Sequence, residues 1–451
     1  AGTAITTGDN NVLVGYASGD AITTQSNITA VGNTALTANT SGQRGTAVGS
    51  AALAGNTTGD YNTAVGFTAL AANTTASNNT AVGYASLTAN TTGTRNNAVG
   101  AIALDANTTG SYNNAFGYNS LGANTTGAEN VGMGDNALAA NTAGSYNAAL
   151  GTSSLANNST ASNNTAVGYA SLNANTTGAR MTSVGSRSGM QNTTGNYNAF
   201  FGYDSGESNT TGAYNAFFGD SAGRETTTGG ENTAIGQAAL LSNTTASNNT
   251  AVGRSALTAN TTGAQNTAVG ALALDANTTA LDNSAFGYAS LSANTTGAQN
   301  TAIGRTALST NTTGDGNTTL GYRAGWRTTT GSNNVYVGQY AGGHNVGNTT
   351  GEQNTLVGSL SDTTLVGTSG ANALGYDVSG AAGYTTLGKG SLDIRAVHGN
   401  ITWATVSDER YKKDIADSTA GLAFINSLQP RTWKYKTLGE LPETFTAYKE
   451  G

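Results

Sequence analysis

The sequence of 451 residues contains no cysteine, two prolines, two histidines and three tryptophans, and only 10% of its residues are charged. Without cysteine there is neither a disulfide framework nor a thiolate metal site. Two histidines leave a histidine-based metal centre almost no material, and no metal or cofactor is expected. No run of about 18 apolar residues occurs, so no membrane-spanning helix is encoded and no membrane insertion is expected. Lysine is absent before Lys389 and the net charge is −7. That excludes the clustered cations needed to neutralise a phosphate backbone, so nucleic acid is not an expected partner. The sequence opens at Ala1 rather than Met, as a trimmed chain would.

What remains is rich in Gly, Asn, Thr and Ala, with 63 glycines. Such low complexity raises the question of disorder, because polar chains cannot bury enough apolar surface to offset chain entropy. Yet Val, Leu, Ile, Tyr and Phe recur at fixed positions, which a disordered linker does not require.

The stretch NTAVGYASLTANTTGTR, residues 79–95, returns almost unchanged as NTAVGYASLNANTTGAR at 164–180. Aligned on the Gly of AVG, twenty units follow one another from Gly15 to Gly338, each 17 residues after the last, and one more ends at Gly358 after 20. Fixed short periods mark solenoids and arrays. Within a unit position 1 is nearly always Asn, position 4 is Val, Ile, Leu, Met or Phe, position 5 is Gly, position 9 is Leu or Gly, and positions 12–14 usually read Asn-Thr-Thr. Two apolar residues five apart make no helical stripe, and Gly, Asn and Thr are poor helix formers.

The period predicts an all-β fold, a parallel β-solenoid or β-roll with one 17-residue repeat per coil. Strands are expected at positions 2–4 and 7–9, with Gly and Asn at positive-φ corners. Val65, Val82 and Val99 are expected to form one inner ladder and Leu70, Leu87 and Leu104 another. Asn73, Asn90 and Asn107 are expected to share amide hydrogen bonds along a corner. At ~4.8 Å per coil, twenty coils stack to roughly 95 Å. Ala at position 3 is expected to face outward and to let a second chain approach, giving a homotrimer. Longer repeats are superimposed: TASNN recurs at 75–79, 160–164 and 245–249, five units apart, which suits an extendable shaft.

With their AVG motif once per unit, residues 11–358 resemble the head repeats of trimeric autotransporter adhesins, and are similar to glycine-rich repeats of phage tail fibres. Both resemblances imply a fibrous surface-binding protein.

The solenoid shaft is expected over 1–358, a β-rich neck over 359–406, and a small α+β segment over 407–451. In the last, Ser418 can cap a short helix carrying Leu422, Ile425 and Leu428 on one face; Pro430 stops it, and RTWKYK alternates like a strand. Ser407, Asp408, Arg410 and Lys412, with the helix and strand that follow, resemble the intramolecular chaperone of endosialidase family, which trimerises fibrous phage proteins and then cuts itself off. Tyr411 stands where that family usually has Leu. The resemblance implies cleavage between Ser407 and Asp408, with Ser407 as nucleophile and Lys412 as its base. A serine hydroxyl needs such a base at neutral pH. On the residues alone, Ser407 can equally cap a helix whose first turn holds Asp408 and Glu409.

Positions 6 and 17 vary and should face solvent. They carry many tyrosines, and Tyr197, Tyr203 and Tyr214 stand out as rings able to stack on a sugar. Phe at position 4 is expected to fill the space where Leu at position 9 gives way to Gly189, Gly206 and Gly223. A glycoside-cleaving site needs two carboxylates at a set separation, and the repeats hold only scattered ones. The shaft is thus expected to be structural. The sequence reads best as a virion tail fibre. Its partners would be two further copies of itself, other tail proteins, and a host-surface glycan or protein. The alternatives are a bacterial surface adhesin or extracellular filament of the same build, and a polysaccharide-degrading tailspike.

Overall fold

A computed structural model describes residues 1–399 and 404–405. Ala1–Thr405 form one compact unit. Among the described residues there is no helix; the unit is a parallel β-solenoid. Twenty-one three-residue strands, from Val12–Val14 to Thr355–Val357, stack on one another, and equivalent residues pair along the stack, as Ala64 with Ala81 and Val65 with Val82. The 17-residue offset is kept until Val335–Val337, whose partner Thr355–Val357 lies 20 residues on. Parallel stacking then continues through Asn372–Tyr376 and Tyr384–Lys389. Only at Leu392–Val397 does the sheet turn antiparallel.

The coil interior differs from the sequence expectation in one parity. Val65 is 36% exposed and Val82 and Val99 are half-buried, whereas Ala64, Ala81 and Ala98 are completely buried. Position 3 therefore faces inward and position 4 outward, so the Val ladder lies on the surface. The physical cause is width. Leu70, Leu87 and Leu104 enter from the opposite wall, fully buried as expected. Across from a leucine the coil has room for a methyl group and little more. The reason given for a trimer, an outward-facing Ala, is thereby removed.

Positions 7–9 form a turn instead of the expected strand. Ala85 at position 7 and Leu87 at position 9 adopt left-handed φ values of 53° and 52°, and Arg95 at position 17 one of 57°. Positive φ is thus not confined to Gly and Asn. A single non-glycine residue there costs roughly 1–3 kcal/mol, and it persists because the surroundings over-determine it. The surroundings here are the adjacent coils: the Leu87 amide donates to Ala103 O at 2.9 Å and the Thr91 amide to Thr108 O at 3.0 Å. The turns, like the strands, hydrogen-bond to the next coil.

Where position 9 is Gly, the core is refilled from position 3. Phe200 and Phe217 are completely buried and their rings stack at 5.4 Å. A Cβ on Gly206 would lie 2.7 Å from Phe200, and one on Gly223 2.4 Å from Phe217. Leu13 opposite Gly19 and Tyr336 opposite Gly342 repeat the exchange. The expected compensator, Phe at position 4, is instead outside: Phe201 and Phe218 stack at 4.7 Å on the surface.

Two columns of buried asparagine run along the stack, broken by Ile28, Gly45 and Met181 at position 1 and by Ile22, Thr226 and Thr328 at position 12. At position 12, Asn90 Nδ2 donates to Asn73 Oδ1 at 3.0 Å and to Gly93 O at 2.9 Å, the corner ladder expected from sequence. At position 1, Asn79 Oδ1 accepts the Asn96 amide at 2.9 Å, and Asn79 Nδ2 donates to Gly93 O at 2.9 Å. Most of these side chains satisfy donors and acceptors in two coils at once, which is what lets so polar an interior exist; Asn209 and Asn311, followed one coil on by Thr226 and Thr328, leave Oδ1 without a partner.

Candidate functional site

Because the interior is filled mostly by Ala, Leu, Asn and Ser with an occasional aromatic, most chemistry-bearing side chains are left to the outer positions. Tyr197 and Tyr214, at position 17 of successive coils, are 43% and 60% exposed and stack at 4.9 Å with rings nearly parallel. The 17-residue register sets this: side chains one coil apart stand at about the strand spacing. Arg180, one coil earlier, lies 5.3 Å from the Tyr197 ring centre and donates to its hydroxyl. Arg44 with Tyr61 and Arg95 with Tyr112 repeat this arrangement. Beside Tyr214 an open depression of about 340 Å³ is lined by Thr228, Glu231 and Asn248.

Tyr203 sits at position 6 and stacks with neither of the other two. It pairs with Arg187, which donates to its hydroxyl at 2.8 Å and forms ion pairs with Asp204 at 2.5 Å and Glu207 at 3.5 Å. The structure therefore joins two of the three singled-out tyrosines and gives the third a separate ionic setting. Ser407, Asp408, Lys412, the helix expected after Ser418 and the strand at RTWKYK all lie outside the described residues.

The sequence reading overlooked a second outer cluster, near the break in the period. Arg305 lies between Tyr288 and Tyr322, 5.9 and 5.8 Å from their ring centres. Arg323 faces Tyr322, Trp326 and Tyr340 at 5.3, 5.4 and 5.7 Å, and Arg327 lies 4.9 Å over Trp326. His344 meets Tyr340 edge-on at 6.3 Å. The signal was present as Tyr288, Arg305 and Tyr322 at position 6 of successive units, beside the extra residues of GGHNVGNTT. A lone Arg between two Tyr of neighbouring units is legible as a cluster only once the one-coil register sets them side by side.

The extra residues are held by one carboxylate. Asp362, almost fully buried, accepts through Oδ2 from the amides of Asn345, Val346 and Gly347 at 2.8, 2.9 and 3.2 Å. Trp326 Nε1 donates to Gly343 O at 3.0 Å. Beneath them burial pushes the Tyr336 phenol far above its ordinary pKa, so it stays protonated beside Asn348. Among the described residues no group of three or more His, Asp or Glu side chains converges as a metal ligand set.

Residues 407–448 match the family described as the chaperone of endosialidase. This match falls on the stretch that opens with Ser407 and Asp408, directly after the solenoid unit. No curated protein matches the chain.

Proposed function

We propose that this chain is the shaft of a trimeric phage tail fibre that presents the virion to a host surface and is assembled by its C-terminal chaperone. The observation that carries the reading is the succession of a parallel coil stack and a chaperone of endosialidase match at 407–448. The outward column at position 4 supports the trimer on new grounds. Val48, Phe116, Met133, Ile235, Phe286 and Leu320 are all exposed and all occupy this column. Apolar patches beyond a few hundred Å² mark interaction surfaces, and a column repeated in every coil fits another copy of itself in register.

Equilibrium sedimentation of the full chain tests this. The expected mass is three times that of the chain, which is 44.8 kDa when uncut, falling towards one chain when Val82 and Val99 are changed to Asp. A wild-type mass of one chain overturns the fibre reading. Self-release by hydrolysis of the Ser407–Asp408 bond, with Lys412 as base, is the second part of the proposal. Mass spectrometry of wild type against Ser407→Ala tests it, and identical fragment patterns remove the protease role.

A further inference from the structure

We propose that the face from Tyr288 to His344 binds an acidic saccharide, a sugar chain carrying carboxylates. Its charge is the first argument. In a chain of net charge −7, Arg305, Arg323 and Arg327 fall within two successive coils. None has a carboxylate at ion-pair distance among the described residues, whereas Arg187 and Arg224 do. Among the described residues Arg323 donates only to Tyr340 Oη, at 3.3 Å, and Arg327 only to Asn345 O, at 3.3 Å. Each guanidinium carries five N–H donors, so most have no protein acceptor among the described residues.

Preorganisation is the second argument. The guanidinium groups are held against rings, Arg305 between two of them and Arg323 beside three. Planar forks fixed in this way lose little further freedom when they clasp a carboxylate with two parallel hydrogen bonds. The support is rigid as well, because Asp362 pins the inserted loop through three amides and Trp326 is tied to Gly343. Such a supporting shell is what a binding face needs and a decorated shaft does not.

The third argument is shape. Tyr288, Arg305, Tyr322, Arg323 and Tyr340 climb four successive coils, one strand spacing at a time. A ligand that meets all of them is elongated, with anions spaced along it. Sugar hydroxyls find partners in the phenol groups of Tyr288 and Tyr322, and in Gln339 at position 6 of the uppermost of these coils. Nucleic acid is held by clustered Lys and Arg set against its phosphates, whereas this face offers three arginines and no lysine.

The inference deepens the host-surface reading above, and it is tested on the isolated full chain. A single-chain protein that still binds would sink the fibre reading alone; a trimer that fails to bind would sink this inference alone. The probes are oligogalacturonate, a dextran oligosaccharide of equal length, and single-stranded oligothymidine, titrated by calorimetry with tryptophan fluorescence as a second signal. Oligogalacturonate is expected to bind, more weakly as salt rises, and dextran is not. The double change Arg305→Gln and Arg323→Gln is expected to weaken binding at least tenfold, while Arg44→Gln, in a similar Arg–Tyr pair elsewhere, leaves it unchanged. Arg305→Gln alone guards against misfolding, since that guanidinium makes only ring contacts. Equal binding of dextran, tighter binding of oligothymidine, or full affinity in the folded Arg305→Gln protein overturns the proposal.

Discussion

Single residues in this solenoid are constrained by the coil above more than by their own neighbours in sequence. Gly83 has φ +141°, and a Cβ there would lie 2.4 Å from Gly100 O, a backbone atom fixed by the next coil. Gly83→Ala is expected to destabilise by at least about 1–3 kcal/mol from strain alone. Ala85 is the opposite case: it already carries a side chain at φ 53°. Ala85→Gly relieves about 1–2 kcal/mol of left-handed strain against roughly 0.5–1 kcal/mol of chain entropy. Denaturant titration should therefore show it neutral or slightly stabilising, and a clear loss would contradict the turn geometry. Asp275 gives a pH signature. Burial raises its pKa, and its Oδ1 has no hydrogen-bond partner. The folded chain thus holds this proton to higher pH than the unfolded one, so stability falls as pH climbs from about 4 through the raised value. Asp275→Asn is expected to melt above wild type at pH 7 and level with it at pH 3.

Among elements, the corner ladder at Asn73, Asn90 and Asn107 was legible because an amide repeated at one position has an obvious partner one coil away. The position 1 ladder was not, since it bonds the backbone, and backbone partners leave no mark in sequence. Asn90→Ala strands Asn73 Oδ1 in the interior and removes a bond to Gly93 O. A loss of roughly 1–3 kcal/mol for each stranded group is expected in equilibrium unfolding. The strand at positions 2–4 was also readable, but its facing was inverted. Val looks like core and Ala like surface until the width left by Leu87 is known, and that width is a property of the closed coil. The exchange at position 9 tests the corrected core. Gly206→Leu should be strongly destabilising, because its Cβ would meet Phe200 at 2.7 Å. Adding Phe200→Ala should recover much of the loss, since neighbouring core changes couple by roughly 0.5–3 kcal/mol. Additive losses would place the two side chains apart.

For the molecule as a whole, the repeat announced a stacked fold at once, while the interaction surfaces needed coordinates. Which apolar column lies outside depends on the facing that periodicity alone inverted, and which arginines lie without carboxylates among the described residues depends on how successive coils bring side chains together. The account of the solenoid unit therefore rests on one arrangement: Ala at position 3 inside, the apolar column at position 4 outside, and that column covered by other copies. Electron cryo-microscopy of the full chain tests it most directly. The account predicts rungs ~4.8 Å apart, three chains side by side, and Val65, Val82 and Val99 at the shared face. A single unaccompanied stack with those valines in water, or a particle without rungs, would contradict it.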